Sequence, residues 1–289
     1  MISPSKHYEN FPVASVLLPA PMRPHVAAVY AFARAADDFA DEGDRPDEER
    51  YRLLDGWKRR LRRAASNDPD GTGSSEAENP GEPDGTLRLF AALGETIREK
   101  SLPVELFEDL LSAFRQDVSV HRYGTWDALF DYCRRSANPV GRIVLRIAGH
   151  RATHLDALSD SICTALQLVN FWQDVKIDFD RGRVYLPQET LASHGATEAH
   201  LASGCITAEW RGALADASRR TRRLFEEGKP LCDDLRGRLG LELRATWLGG
   251  TRILDELEAA NFDVINRRPT IGAADVPWML ARLLTWRSH

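Results

Sequence analysis

Cysteine is scarce in this 289-residue chain: the four present, Cys133, Cys163, Cys205 and Cys232, stand at least 27 residues apart. No CxxC pair and no Cys/His cluster at zinc-ligand spacing occurs, which excludes a zinc ribbon or a thioredoxin-like centre. Four buried thiols in a reducing compartment are the expectation. Long apolar runs are missing too. No stretch reaches the ~18 uncharged apolar residues of a membrane span, and the opening Met1 to Pro12 has neither the charged start nor the apolar core of a signal peptide. A cytoplasmic location follows as an expectation. Alternating segments rich in Val, Ile and Thr are few, no repeat of roughly 20 to 50 residues is evident, and no GxGxxG follows a strand, the nearest match, Gly71-Thr-Gly73, lying in a polar loop. Sheet folds, a solenoid and a dinucleotide-binding unit are all disfavoured.

What is present is globular and helical. Hydrophobic residues make up 43% and charged residues 28%, which excludes a disordered or polytopic membrane chain. A net charge of -5 argues against nucleic acid as the main partner. Six acids with no base, four glycines and three prolines fall between Ser66 and Gly85, so the remaining chain carries -5 minus -6, or +1. That stretch reads as a flexible acidic surface insertion at 66–85 in one domain spanning residues 1–289, because neither side looks able to form its own core. The 33 arginines against 5 lysines read either as genomic composition or as forks for carboxylate and phosphate. Helical periodicity predicts an all-α fold, with helices near 24–42, 48–65, 85–99, 104–120, 126–150, 157–179, 208–229, 239–267 and 276–286. The last of these is amphipathic, which suits either a core-facing helix or contact with a membrane surface.

Two helices carry acidic stripes. In the first, Tyr30, Arg34, Asp37, Asp38 and Asp41 follow steps of three or four and share one face. In the second, Gln167, Asn170, Asp174 and Asp178 repeat the spacing between the apolar Leu168, Val169, Phe171 and Trp172. Acidic residues on a helix are usually a solvated face, but both stripes fall near predicted C-terminal ends. There a carboxylate opposes the helix dipole by about 0.3 to 1 kcal/mol, and like charges one turn apart repel. A hard divalent cation such as Mg2+ would compensate, and Mg2+ on sparse carboxylates implies a diphosphate ligand. Arg183 and Tyr185, just after the second stripe, could close over that anion.

These residues resemble the squalene and phytoene synthase family, the head-to-head prenyl diphosphate synthases, over nearly the whole chain. The motifs are DDFAD at Asp37 to Asp41, NFWQDVKID at Asn170 to Asp178 and RVYLP at Arg183 to Pro187. HYENFPVAS at His7 to Ser15 and YCRRSANPVGR at Tyr132 to Arg142 are most similar to the family's hopanoid-pathway branch. The resemblance implies a single α-helical isoprenoid synthase domain around a central cavity. It also implies Mg2+ held by Asp37, Asp38, Asp41, Asn170, Asp174 and Asp178, and conversion of presqualene diphosphate to hydroxysqualene. Arg34, Lys176, Arg183 and Arg267, with Tyr30, Gln167 and Tyr185, are the expected substrate contacts, and the two aspartate pairs Asp37/Asp41 and Asp174/Asp178 the expected catalytic set.

Departures from the family pattern point to the second half-reaction: Tyr8 and Asn10 replace serines, Gln173 replaces an arginine, and Gly250 replaces a pocket tyrosine. Asn138-Pro139 breaks a helical pattern, either as a plain kink or to let Asn138 position a quenching water. Whether water or hydride captures the cation stays open. So do two other readings: a complete squalene or phytoene-type synthase starting from farnesyl or related diphosphates, and a non-catalytic helical partner of such an enzyme. Peripheral contact with the inner membrane face and association with other squalene-pathway enzymes are further expectations. Asp37→Asn or Asp174→Asn should abolish turnover without unfolding the chain, checked by product assay and circular dichroism; unchanged turnover would defeat the metal assignment.

Overall fold

The computed structural model describes residues 17–66 and 81–286. Most of the acidic insertion expected at 66–85, and the whole HYENFPVAS segment, lie outside the described residues. The helices are α1 (Arg23–Asp41), α2 (Asp47–Ala65), α3 (Thr86–Lys100), α4 (Val104–Asp117), α5 (Trp126–Ser136), α6 (Asn138–Ile147) and α7 (Thr153–Gln173). They continue as α8 (Val175–Asp180), α9 (Gln188–His194), α10 (Glu198–Ala202), α11 (Ala208–Gly228), α12 (Leu231–Asp234), α13 (Gly237–Ala259) and α14 (Val276–Leu284). Among the described residues there is no strand, only one parallel bridge between Arg122 and Val184. The all-α expectation is met.

Two buried clusters form the core. The first, built on α1 to α4, centres on Trp57, whose ring meets Phe32, Phe39 and Phe90 and whose indole N–H donates to the Phe32 carbonyl at 3.2 Å. The second surrounds α7 and α11, where Trp172 donates to Thr221 at 2.8 Å. Leu166 and Trp247 pack against both. α7 is the axis of the molecule, since α5, α6, α11 and α13 all pack on it. The α6 contact is closest at Gly141, where a Cβ would run into Ser159 and Cys163.

Three departures from the expected helices shape the site. The 126–150 segment is two helices, because Pro139 has no N–H to continue the ladder and the chain breaks at Ala137. The second acidic helix is interrupted at Asp174, at φ -105° and ψ 14°. α13 stops at Ala259, eight residues short of the expected Arg267, because Asn261 and Phe262 adopt φ values of 50° and 56°. Asn tolerates this left-handed region. The Phe262 N–H then closes on the Leu257 carbonyl at 2.8 Å, and its ring is buried. Of the four thiols, Cys133, Cys163 and Cys232 are buried as expected, but Cys205 is exposed, in the turn that follows α10.

The end of α1 answers the dipole problem posed by its acids. Arg50 of α2 donates to the carbonyls of Phe39 (3.1 Å), Ala40 (2.7 Å), Glu42 (3.3 Å), Gly43 (2.7 Å) and Arg45 (3.1 Å). One guanidinium thus satisfies two of the carbonyls that the end of α1 leaves open and three in the turn beyond it, and opposes the helix's negative pole. Arg50→Met should destabilise the fold by about 2 to 4 kcal/mol, read by urea unfolding, with faster hydrogen exchange confined to the last turn of α1.

Candidate active site

α1 presents its stripe toward the middle of the molecule. Arg34 reaches Asp37 at 3.3 Å and Asp38 at 2.7 Å on the same helix, and half-buried Tyr30 lies one turn deeper. Facing it, α7 carries half-buried Gln167 and Asn170 and ends at Asp174, and α8 adds Asp178. The RVYLP loop joins the two stripes. Backbone bonds from Val184 to His121 (3.0 Å), Gln188 to Tyr123 (2.9 Å) and Glu189 to Gly124 (3.1 Å) pin that loop beside the segment after α4. So held, Arg183 pairs bidentately with Asp41 at 2.6 and 2.9 Å.

Two further residues complete the pole, and neither was expected from the sequence. Asp117, the last residue of α4, is buried; one carboxylate oxygen accepts from the Tyr132 hydroxyl at 3.0 Å, and Oδ1 has no hydrogen-bond partner. Its only sequence signal was an acid at a helix C-terminus, isolated from any motif. Arg268 grips Asp174 with two bonds, at 2.5 and 3.1 Å. Its neighbour Arg267, the expected contact, is instead 69% exposed and faces Glu256 at 3.4 Å. Gln173 explains the choice: buried at the end of α7, its amide donates to the Pro269 carbonyl at 2.5 Å, which seats the 267–269 segment with Arg268 inward. The glutamine that replaces an arginine therefore anchors a replacement guanidinium. Lys176 does not face the pole either; it pairs with Asp180 on its own helix at 2.5 Å.

The carboxylates repel one another. Burial raises Asp37 to about 7, with Asp41 adding to the rise and Arg34 offsetting part of it. Burial followed by Asp174 raises Asp178 to about 7, and Asp41 of the opposite helix contributes. Asp117 is pushed to about 8 by burial and then by Asp41. One field therefore spans both stripes. Among the described residues no three acid, histidine or cysteine side chains already form a metal-binding group. The donor set nonetheless suits a hard cation: oxygen ligands only, six aspartates against the guanidinium groups of Arg34, Arg183 and Arg268, and an orphan oxygen on Asp117.

Beside the acids lies an aromatic wall. Phe171 and Tyr185 stack with centroids 3.7 Å apart, and Tyr132 stands 6.2 and 6.3 Å from the two rings. Phe39 and Trp172 are core residues, the first packed on Trp57 and the second bonded to Thr221. Deeper along α7, Ser159, Ile162, Cys163 and Leu166 line an apolar slot closed by Gly141 and Val144 of α6 and by Leu239 and Leu243 of α13. About 60 Å³ is clear space within a slot of about 720 Å³ that includes its open mouth. Asn138 sits at the head of α6, three residues before Gly141, buried, its Oδ1 accepting from Thr164 at 2.9 Å. A Cβ on Gly250 would strike the Phe225 ring and Leu166, so the glycine leaves room for that ring.

Fold and site together define an all-α enzyme of the isoprenoid synthase type that processes prenyl diphosphates. The chain belongs to the squalene/phytoene synthase family, whose sequence profile matches residues 5–275. A hydroxysqualene synthase from Zymomonas mobilis is 36% identical over 240 residues, covering 81% of this chain and 74% of that protein. A second, from Rhodopseudomonas palustris, is 34% identical, covering 86% and 80%. The crystal structure of squalene synthase HpnC from Alicyclobacillus acidocaldarius superposes with a TM-score of 0.76 at 39% identity, covering 89% of this chain and 90% of that one.

Asp37, Asp117 and Asp178 keep their protons to higher pH folded than unfolded, so their contribution to stability is greatest in acid and is lost as pH rises through about 7 to 8. The cation-free protein should lose thermal stability from about pH 5 to about pH 8, and Mg2+ should raise the melting midpoint more at about pH 8 than at about pH 6. Scanning calorimetry checks both; a midpoint indifferent to Mg2+ at both pH values would contradict the shared carboxylate field.

Proposed function

We propose that this chain is a hydroxysqualene synthase, a carbon–oxygen lyase that ionises presqualene diphosphate and captures the rearranged cation with water. The observation that carries the reading is that one helix serves both ends of such a substrate. α7 lines the apolar slot through Ser159, Ile162, Cys163 and Leu166 and then presents Asn170 and Asp174 to the acidic pole. From Cys163 to Asp174 it rises about 16 Å, so a hydrocarbon tail and a diphosphate head can be held apart along its length. The hydroxysqualene synthases at 34–36% identity support the same assignment. A single domain is part of this reading, supported by Leu166 and Trp247, which pack against both core clusters.

Asp37, Asp38, Asp41, Asn170, Asp174 and Asp178 would hold Mg2+, which when bound neutralises the diphosphate and eases its departure. Arg34, Arg183 and Arg268 stand around the same pole to receive the anion, and Tyr30 and Gln167 flank it one turn deeper. When the C–O bond breaks, its electron pair leaves with the diphosphate and a cyclopropylcarbinyl cation remains. The stacked Phe171 and Tyr185 offer π faces to that cation. The Tyr132 hydroxyl is engaged by Asp117, which withdraws it as a competing nucleophile. Asn138, with its oxygen committed to Thr164, keeps amide N–H groups to orient a water at the edge of the slot. The water oxygen bonds to the rearranged cation and its proton leaves with the diphosphate. No reductant is consumed.

Purified protein with Mg2+ and presqualene diphosphate should yield hydroxysqualene at the same rate with and without NADPH, identified by mass spectrometry. Squalene formed only with NADPH, or presqualene diphosphate made from farnesyl diphosphate by this protein alone, would overturn the reading in favour of a complete synthase. Inertness toward both substrates would favour a non-catalytic partner.

A further inference from the structure

Arg183 spans the two acidic stripes, yet it is carried by a loop. After α8 ends at Asp180, Gly182 turns the chain at φ 78° and the Arg183 N–H closes on the Asp178 carbonyl at 2.7 Å. The Gly182 carbonyl is taken by a side chain from another part of the fold. Arg122 Nη1 donates to it at 2.5 Å and to the His121 carbonyl at 2.9 Å. The far side of the loop is held separately, by Glu189 and Thr190, whose side chains accept from the Trp126 amide and indole at 2.8 Å each.

Arg122 is itself anchored. Its Nε and Nη2 fork onto the Glu198 carboxylate at 2.6 and 2.8 Å. Glu198 opens α10, and the carbonyl of Thr197 just before it accepts from the indole of the fully buried Trp210 at 2.7 Å. A line of contacts therefore runs from the second core cluster through Glu198, Arg122 and Gly182 to Arg183, and from there to Asp41 on the opposite helix.

The exposure of the pair separates two uses for it. The Arg122 and Glu198 side chains are 36% and 37% exposed, and an ion pair so open to water adds little to stability. What the guanidinium supplies instead is geometry, one rigid fork engaging a carboxylate and two carbonyls at once. We propose that Arg122, held by Glu198, is a positioning residue that fixes the Gly182 turn and so aims Arg183 at Asp41 and at a diphosphate bound beside it. The hold on the loop is a property of these contacts; the diphosphate it serves rests on the hydroxysqualene reading.

A double-mutant cycle read by calorimetry with Mg2+ and inorganic diphosphate tests it. Arg122→Met should weaken diphosphate binding about 10- to 100-fold and speed hydrogen exchange at the Arg183 and Val184 amides, with an unchanged circular dichroism spectrum. In an Arg183→Lys background the same substitution should change the affinity by no more than about twofold, because its effect passes through Arg183. Glu198→Gln, which keeps the shape of both side chains, should act in the same direction with a smaller loss, and stands in should Arg122→Met fail to fold. Unchanged diphosphate affinity in the Arg122 and Glu198 variants would overturn the proposal. So would an equal loss in both backgrounds, which would make the pair an ordinary structural contact. A parent protein that binds magnesium diphosphate but leaves presqualene diphosphate unconverted would remove only the catalytic reading, and the same calorimetric cycle would still decide the role of Arg122.

Discussion

The pair between Arg183 and Asp41 is the contact on which the site depends. α1 and α7 each bring a row of carboxylates to the middle of the molecule, and bare rows would push the two helices apart. Arg183, fixed by backbone bonds between its loop and residues 121–124, bridges the divide with two hydrogen bonds to Asp41. Arg268 does the same for Asp174, and Arg34 for Asp37 and Asp38. Even so the neutralisation is incomplete, and the surplus appears as raised proton affinity on Asp37, Asp117 and Asp178. Such a surplus of negative charge is what the Mg2+ and diphosphate proposed for this site would offset.

The rest of the architecture keeps that charge away from an apolar channel. α7 carries both, and its periodicity sets acids at one end and small or aliphatic side chains at the other. Gly141 lets α6 approach so closely that the slot stays narrow, and Phe225 fills the space that Gly250 leaves. The stacked Phe171 and Tyr185 rings stand beside the acids, and Asn138 and Thr164 form a buried hydrogen-bonded pair near the head of α6. The polar groups that must be buried are mostly engaged, which is the condition for holding a reactive cation without side reactions.

Much of this was legible in the sequence because it obeys local rules. Steps of three and four put Asp37 with Asp41 and Asn170 with Asp174 on single faces, and Pro139 announced a break in its helix. The illegible parts are those in which distant segments meet. Arg50 is one of 33 arginines, and only the packing of α2 under the end of α1 makes it a cap. Asp117 is a lone acid until the fold buries it beside Tyr132. Arg267 and Arg268 cannot be told apart by composition; the early stop of α13 at Ala259 and the hold of Gln173 on Pro269 decide which one turns inward.

By itself the sequence determined the helical class, the two acidic stripes and the oxygen-rich donor chemistry, because side-chain spacing along a helix is a local property of the backbone. Tertiary structure alone decided which guanidinium groups neutralise the stripes, that a buried third carboxylate joins them, and that an apolar slot forms between α6, α7 and α13. Those outcomes depend on through-space proximity between segments tens to hundreds of residues apart, and Coulomb interaction and desolvation follow distance in space, not distance along the chain.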